Sequence, residues 1–180
     1  MHSPDASADF VITRTFDAPR ELVYQTMTAT EHLQKWWGPQ GCTIEVVSND
    51  PVPGGVFHYC MHFGPGVAMY GRFDYRELTP VERIVFVNGF ADAAGKRIAY
   101  AMSPTWPLEV LNTVTLSEQD GKTHMHLRSS PINADQIAVD TFKAGHASMQ
   151  QGFGGMYDVY DQYLASLKGG SDVPDGRADG

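Results

Sequence analysis

Apolar and polar residues alternate with a period of two through the middle of the chain, between flanks whose period is that of a helix. DFVITRTFD (9–17) is rich in β-branched and aromatic residues and predicts a first strand. From 43 to 130 the alternation returns in CTIEVVSND (42–50), GGVFHYCMHF (54–63), VAMYGRFDYREL (67–78), RIVFVNGF (83–90), PLEVLNTVTLSE (107–118) and KTHMHLRSS (122–130). The third of these is the cleanest, with Met69, Gly71, Phe73 and Tyr75 on one side and Tyr70, Arg72, Asp74 and Arg76 on the other. The Gly-Pro-Gly at 64–66 and the Gln119-Asp120-Gly121 run read as turns, and ADAAGKR (91–97) as a loop. An antiparallel meander with one apolar face follows.

Helical periodicity brackets the meander. Asp17 is a predicted N-cap with Pro19 just inside the helix, and Leu22, Val23 and Met27 share one face. Thr30 opens a second short helix with Glu31 in its first turn, and Gly38-Pro39 ends it. In residues 134–168, Phe142, His146, Met149, Phe153, Met156, Tyr160, Tyr163 and Leu167 recur at alternating steps of four and three, which predicts one long amphipathic helix. Gly145, Gly152, Gly154 and Gly155 weaken that helix by roughly 1 kcal/mol each relative to alanine. Their concentration there points to a close approach or a kink.

The order of elements predicts an α+β helix-grip fold. A curved antiparallel sheet of six or seven strands wraps around the long C-terminal helix, with two short helices after the first strand. The 180 residues suit one domain, expected over 9–168, with a loose N-terminus (1–8) and a tail rich in Gly, Asp and Pro (169–180) expected to be disordered.

Charge narrows the partners. The net charge is −8 and the 13 basic residues form no stripe or cluster, which argues against nucleic acid and anionic membranes. No apolar run approaches the ~20 residues of a membrane span, and MHSPDASADF (1–10) has no signal-peptide pattern. A cytoplasmic location is the expectation. Cys42 and Cys60 lack metal-type or redox spacing.

The ordered motifs RTFDAP (14–19) with Leu22-Val23, KWWGP (35–39), PGGVF (53–57), YGRF (70–73), LTPVERIVF (78–86), GKT (121–123) and YDQYL (160–164) resemble the StAR-related lipid-transfer-like, or birch-pollen-allergen-like (SRPBCC), superfamily. They are most similar to its branch homologous to the C-terminal domain of the activator of the Hsp90 ATPase. The resemblance implies a cavity between sheet and C-terminal helix. It also implies, as alternatives, a lipid, hormone or polyketide binder, a cyclase, or a chaperone-interacting module.

The residues supply candidates for that cavity. Trp36 and Trp37 are adjacent, so on a helix they point about 100° apart and cannot share one core. One is expected inside and the other at the cavity mouth, able to stack on an aromatic or apolar ligand. Phe57, Tyr59, Met69, Phe73, Tyr75, Met149, Phe153 and Met156 complete an aromatic and thioether lining; in the competing reading these side chains fill the core and leave no pocket. Asn112 and His146 are the candidate interior polar groups, and Arg14 could join them. His146 is also the one weak candidate for a general base, with Tyr75 or Tyr157 as an acid–base partner. His58, Cys60 and His62 alternate on one strand, as do His124 and His126 on another. Phe57, Tyr59, Met61 and Phe63 claim the inner face, so the histidines are expected outside and no metal site or cofactor is expected. No nucleophile or phosphate-loop motif occurs. Trp106, between prolines, is a candidate lid or interface residue.

The favoured expectation is a binder of a small apolar or aromatic molecule. A chaperone partner remains the alternative of a different class, permitted by exposed loops at 63–68 and 91–97.

Overall fold

The computed structural model describes residues 8–172. Its elements are β1 (Phe10–Phe16), α1 (Arg20–Thr28), α2 (Thr30–Trp36), β2 (Thr43–Asn49), β3 (Val56–Gly64), β4 (Val67–Thr79), β5 (Arg83–Ala91), β6 (Val110–Gln119), β7 (Lys122–Pro131), α3 (Gln136–Ala144) and α4 (His146–Asp172). The strands form one 7-stranded sheet in the order β1-β7-β6-β5-β4-β3-β2, with every pairing antiparallel. The chain runs down the sheet hairpin by hairpin from β2 to β7, and β1 closes the far edge against β7. This is the α+β helix-grip arrangement.

Local chemistry explains the turns. Asp120 and Gly121 have φ of 54° and 76°, the paired positive values that a tight hairpin matched to strand twist requires. The β6–β7 hairpin also caps α1 from a distance. Glu118 Oε1 accepts from the Arg20 backbone N–H at 2.8 Å, while the N-cap position belongs to Pro19, which has no capping side chain. Asp17 therefore does not cap the helix; its carboxylate lies 3.5 Å from Lys168 Nζ. Asp135 does cap α3, accepting from the Ala138 N–H at 2.8 Å.

The single helix expected over 134–168 is two. At Gly145 the backbone turns to φ −89°, ψ 0°, and α4 starts afresh at His146. The apolar spacing runs through the break because both helices bury the same side against the sheet. An added Cβ at Gly145 would lie 2.8 Å from the Trp106 ring, so the glycine at this corner is a close approach. Gly152 and Gly154 meet nothing within 4 Å, and they serve neither close approach nor kink. α4 continues to Asp172, past the expected boundary at 168. Ala8, expected in the loose N-terminus, is buried. The remainder of the two loose ends, 1–7 and 173–180, lies outside the described residues.

The core fills the concave face. Phe10, Ile12 and Phe16 of β1, Phe57, Tyr59 and Met61 of β3, Phe73 and Tyr75 of β4, and Met125 and Leu127 of β7 are buried there with Met156, Tyr157, Tyr160 and Leu164 of α4. Burying one such large side chain contributes about 1.5–3 kcal/mol. Phe63, expected on the inner face, is 41% exposed, because the register shifts by a bulge between His62 and Gly64 and the strand end lifts off the core. The 63–68 turn is exposed throughout, whereas 91–97 folds back on the outer face of the sheet. There Arg72 Nη1 donates to the Gly95 carbonyl at 2.9 Å, and His58 Nε2 lies 3.0 Å from the Asp92 carbonyl oxygen. His58 is thus on the outer face, as the alternation predicts, yet buried beneath that segment.

Candidate functional site

The tryptophan pair divides as its spacing requires. Trp36 is the last residue of α2 and goes to the core, where its Nε1 donates to the Thr26 carbonyl at 2.8 Å and its ring lies 4.1 Å from that of Tyr160. The helix ends one residue earlier than the Gly-Pro signal suggests. Trp37 is already extended (φ −69°, ψ 143°), and Gly38 follows at φ 103°. This turn swings the second indole about 82° from the first and sets it edge-on to Phe73 at 4.9 Å. The buried Trp37 Nε1 closes no hydrogen bond of ordinary geometry, although its proton favours the ionised form of the Tyr59 hydroxyl. Burial dominates at Tyr59 and pushes that hydroxyl up to about 12.

Trp37 forms one wall of a space between the sheet, α2 and α4. Met27, Leu33 and Trp36 line it from the short helices. Phe73, Tyr75, Ile84, Phe86, Asn88, Asn112, Val114 and Leu127 form its floor on the sheet, and Phe153 and Tyr157 its roof on α4. Of the residues expected around a cavity, Trp36, Trp37, Phe73, Tyr75, Asn112 and Phe153 meet here. Phe57, Tyr59, Met69, His146, Met149 and Met156 do not line it. Ile84, Phe86, Asn88, Val114 and Leu127 are the floor residues absent from the expected lining. The register Phe73↔Asn88 and Phe86↔Asn112 would have supplied them, but register between distant strands is not written in any one strand's alternation.

The free volume of this space is about 30 Å³. A water needs roughly 10–15 Å³ and a drug-sized ligand roughly 300–1,000 Å³. As folded here the side chains nearly fill the interior. The packing is aromatic, with Phe73 stacked on Phe86 at 4.0 Å and Phe153 on Tyr157 at 5.9 Å. A wider depression of about 470 Å³ lies on the opposite, outer face of β1, β7 and β6, among Thr13, Thr15, Thr115, Ser117, His124 and His126. It is open to solvent.

The polar groups inside form one chain. Asn112 is 3% exposed, donates to Asn88 Oδ1 at 2.9 Å and to the Val110 carbonyl at 3.0 Å, and accepts from Ser129 Oγ at 2.6 Å. Asn88 and Asn112 thereby present the one amide pair on an otherwise apolar floor. Tyr75 donates to Asn49 Oδ1 at 3.0 Å. Burial raises the Tyr75 and Tyr157 hydroxyls well above the ordinary tyrosine range, so both stay protonated. His146 sits at the α3–α4 corner, edge-on to Phe10 and Phe142. Its Nε2 lies 2.9 Å from the Ala8 carbonyl oxygen, so the imidazole ties the start of α4 to the N-terminal segment. Arg14 shares the inward parity of Phe10, Ile12 and Phe16 but is held by Asp158 and Asp161 at 2.7 and 2.5 Å.

The start of α4, which carries Phe153 of the roof, is the least consolidated part of that helix. No residue of α4 from His146 to Gly155 is fully buried, whereas Met156, Tyr157 (the other roof residue), Tyr160 and Leu164 in the rest of it are. Tyr160 anchors that second half, 2.6 Å from Thr26 Oγ1 and edge-on to Phe16 at 4.9 Å. Trp106, in the segment joining β5 to β6, covers the α3–α4 corner, 5.3 Å from Phe142, and Thr105 Oγ1 lies 2.8 Å from Thr141 Oγ1.

On the outer face, Cys60 and His62 share a side of β3, and neither cysteine is in a disulfide. Strand parity separates the two thiols, since Cys42 falls on the inward side with Ile44 and Cys60 opposite Glu45 on the outward side.

Comparison with known proteins fits this architecture. The sequence model of the family described as activator of Hsp90 ATPase homolog 1-like protein matches residues 17–165. The chain belongs to that family. No curated protein matches it in sequence. Among solved structures, protein Ms6760 from Mycobacterium smegmatis is 23% identical with a TM-score of 0.72, over 90% of this chain and 94% of that one. A protein from Arthrobacter aurescens is 22% identical with a TM-score of 0.75, over 91% of each chain. The AHSA1 (SPO3351) protein from Silicibacter pomeroyi is 18% identical with a TM-score of 0.64, over 88% of this chain and 99% of that one. These likenesses establish the shared helix-grip fold. Among the described residues, no helix is long and apolar enough to cross a membrane.

Proposed function

We propose that this member of the family binds a small apolar or aromatic molecule between the sheet and α4, and that binding opens the roof over the Asn88–Asn112 pair. One observation carries this reading. The space is lined by aromatic rings around a single amide pair, and Phe153 of its roof lies in the first turns of α4, where no side chain is fully buried. Apolar walls with a few convergent polar groups are what a small-molecule site uses. The free volume of about 30 Å³ means that a ligand enters only as Phe153 and its helical turn move outward. Gly152 and Gly154 flank Phe153 and lower the cost of that movement.

Titration with 8-anilino-1-naphthalenesulfonate and with a long-chain fatty acid tests the proposal, read by probe fluorescence and by Trp37 quenching. Saturable binding that is tightened by Phe153→Ala, which enlarges the space, and weakened by Asn112→Leu supports an interior site. Absence of saturable binding, or binding indifferent to both substitutions, contradicts it.

A further inference from the structure

We infer that Glu45, Cys60 and His62 form a binding site for a zinc-type divalent cation on the outer face of the sheet, remote from the grip between sheet and α4. The register of β2 on β3 pairs Glu45 with Cys60 and Thr43 with His62, so the period of two brings Glu45, Cys60 and His62 to one side of two neighbouring strands. One carboxylate oxygen, the Cys60 Sγ and one imidazole nitrogen lie within 4.8 Å of one another. The His62 Nε2 and Glu45 Oε1 are already 2.8 Å apart. Zinc bonds of about 2.0–2.3 Å to O, N and S in a tetrahedron place donor atoms roughly 3.3–3.8 Å from each other. Small rotamer changes reach that spacing, and no backbone movement is required.

The donor set selects the ion. A sulfur beside an imidazole excludes calcium and magnesium, which take oxygen ligands, and suits zinc and its neighbours in the d-block. Cys60 is 1% exposed and forms the base of the site, while the His62 and Glu45 side chains are 43% and 66% exposed and form its rim. β2 is the edge of the sheet, so a fourth coordination position faces solvent. Tyr70 of β4 lies opposite Cys60 on the other side. A metal ion takes the thiolate, so binding a dication displaces the Cys60 thiol proton to solvent.

Cobalt(II) is the probe, added to the reduced full-length protein and followed by absorption. The expected result is one equivalent bound with a sulfur-to-cobalt charge-transfer band, displaced by zinc(II). Cys60→Ser removes the band and Cys42→Ser leaves it. His62→Gln and Glu45→Gln, at exposed positions where folding is not at stake, weaken cobalt binding at least about tenfold. No sulfur band in the wild type, a band that survives Cys60→Ser, or affinity unchanged in both rim variants overturns the site.

Discussion

The ring of Trp106 occupies the space that a side chain at Gly145 would need, 2.8 Å from an added Cβ. A residue from the segment after β5 thus fixes the corner at which α3 gives way to α4. Gly145→Ala is expected to destabilise the protein by about 1–3 kcal/mol through overpacking, although alanine is the better helix former. In the Trp106→Ala background the same substitution is expected to cost almost nothing. Urea unfolding of the four-protein cycle measures the coupling.

Gly152 and Gly154 predict the opposite sign. Neither has an atom within 4 Å of an added Cβ, so each change to alanine is expected to stabilise by about 0.5–1 kcal/mol. If the first half of α4 is the moving roof, the doubly substituted protein also takes up an apolar probe more slowly. Thermal unfolding and stopped-flow fluorescence read the two effects separately.

Tyr160 holds the second half of α4 to α1. Its hydroxyl lies 2.6 Å from Thr26 Oγ1 and donates to the Val23 carbonyl at 3.2 Å in a buried setting. Tyr160→Phe is expected to cost about 1–2 kcal/mol, because the buried acceptors lose their donor. Hydrogen exchange should locate the loss in α1 and the second half of α4.

Asp74 gives the protein an acid limb. Burial by itself would raise its carboxyl, but hydrogen bonds from Arg72 and Arg97 outweigh burial and hold it below the usual carboxylate range. A carboxyl lowered in the folded state adds stability that is fully present above its unfolded value, about pH 4, and is lost as the pH falls through the folded value. Asp74→Asn is expected to cost roughly 1 kcal/mol at neutral pH, with the difference from wild type shrinking below pH 4. Denaturant midpoints measured from pH 2 to 7 check this.

Most of the fold is legible in the chain because the sheet advertises itself locally. Phe73 and Tyr75 alternate with Arg72 and Asp74, and the Asp120-Gly121 turn carries its own backbone signal. The features that escaped local reading depend on distant contacts. The break at Gly145 is masked by apolar residues spaced as if the helix continued. The cap on α1 comes from Glu118, nearly a hundred positions away in sequence. His58 lies on the polar side of its strand but is buried by a segment that folds back from β5. At the interior site, the tryptophan pair and Phe73, Tyr75, Asn112 and Phe153 were legible as apolar or polar positions facing inward. The free volume was not, because it is set by how Phe73, Phe86 and Trp37 interlock across three elements. Glu45 joins Cys60 and His62 only through the register of β2 on β3.

Native mass spectrometry of freshly purified protein, beside its denatured mass, tests the ligand-binding account most directly. The account predicts a reproducible added mass that is lost on denaturation, or uptake of one equivalent of an apolar or aromatic compound on incubation. A chain that is bare as purified, and remains bare after exposure to fatty acids and polycyclic aromatic compounds, would contradict it.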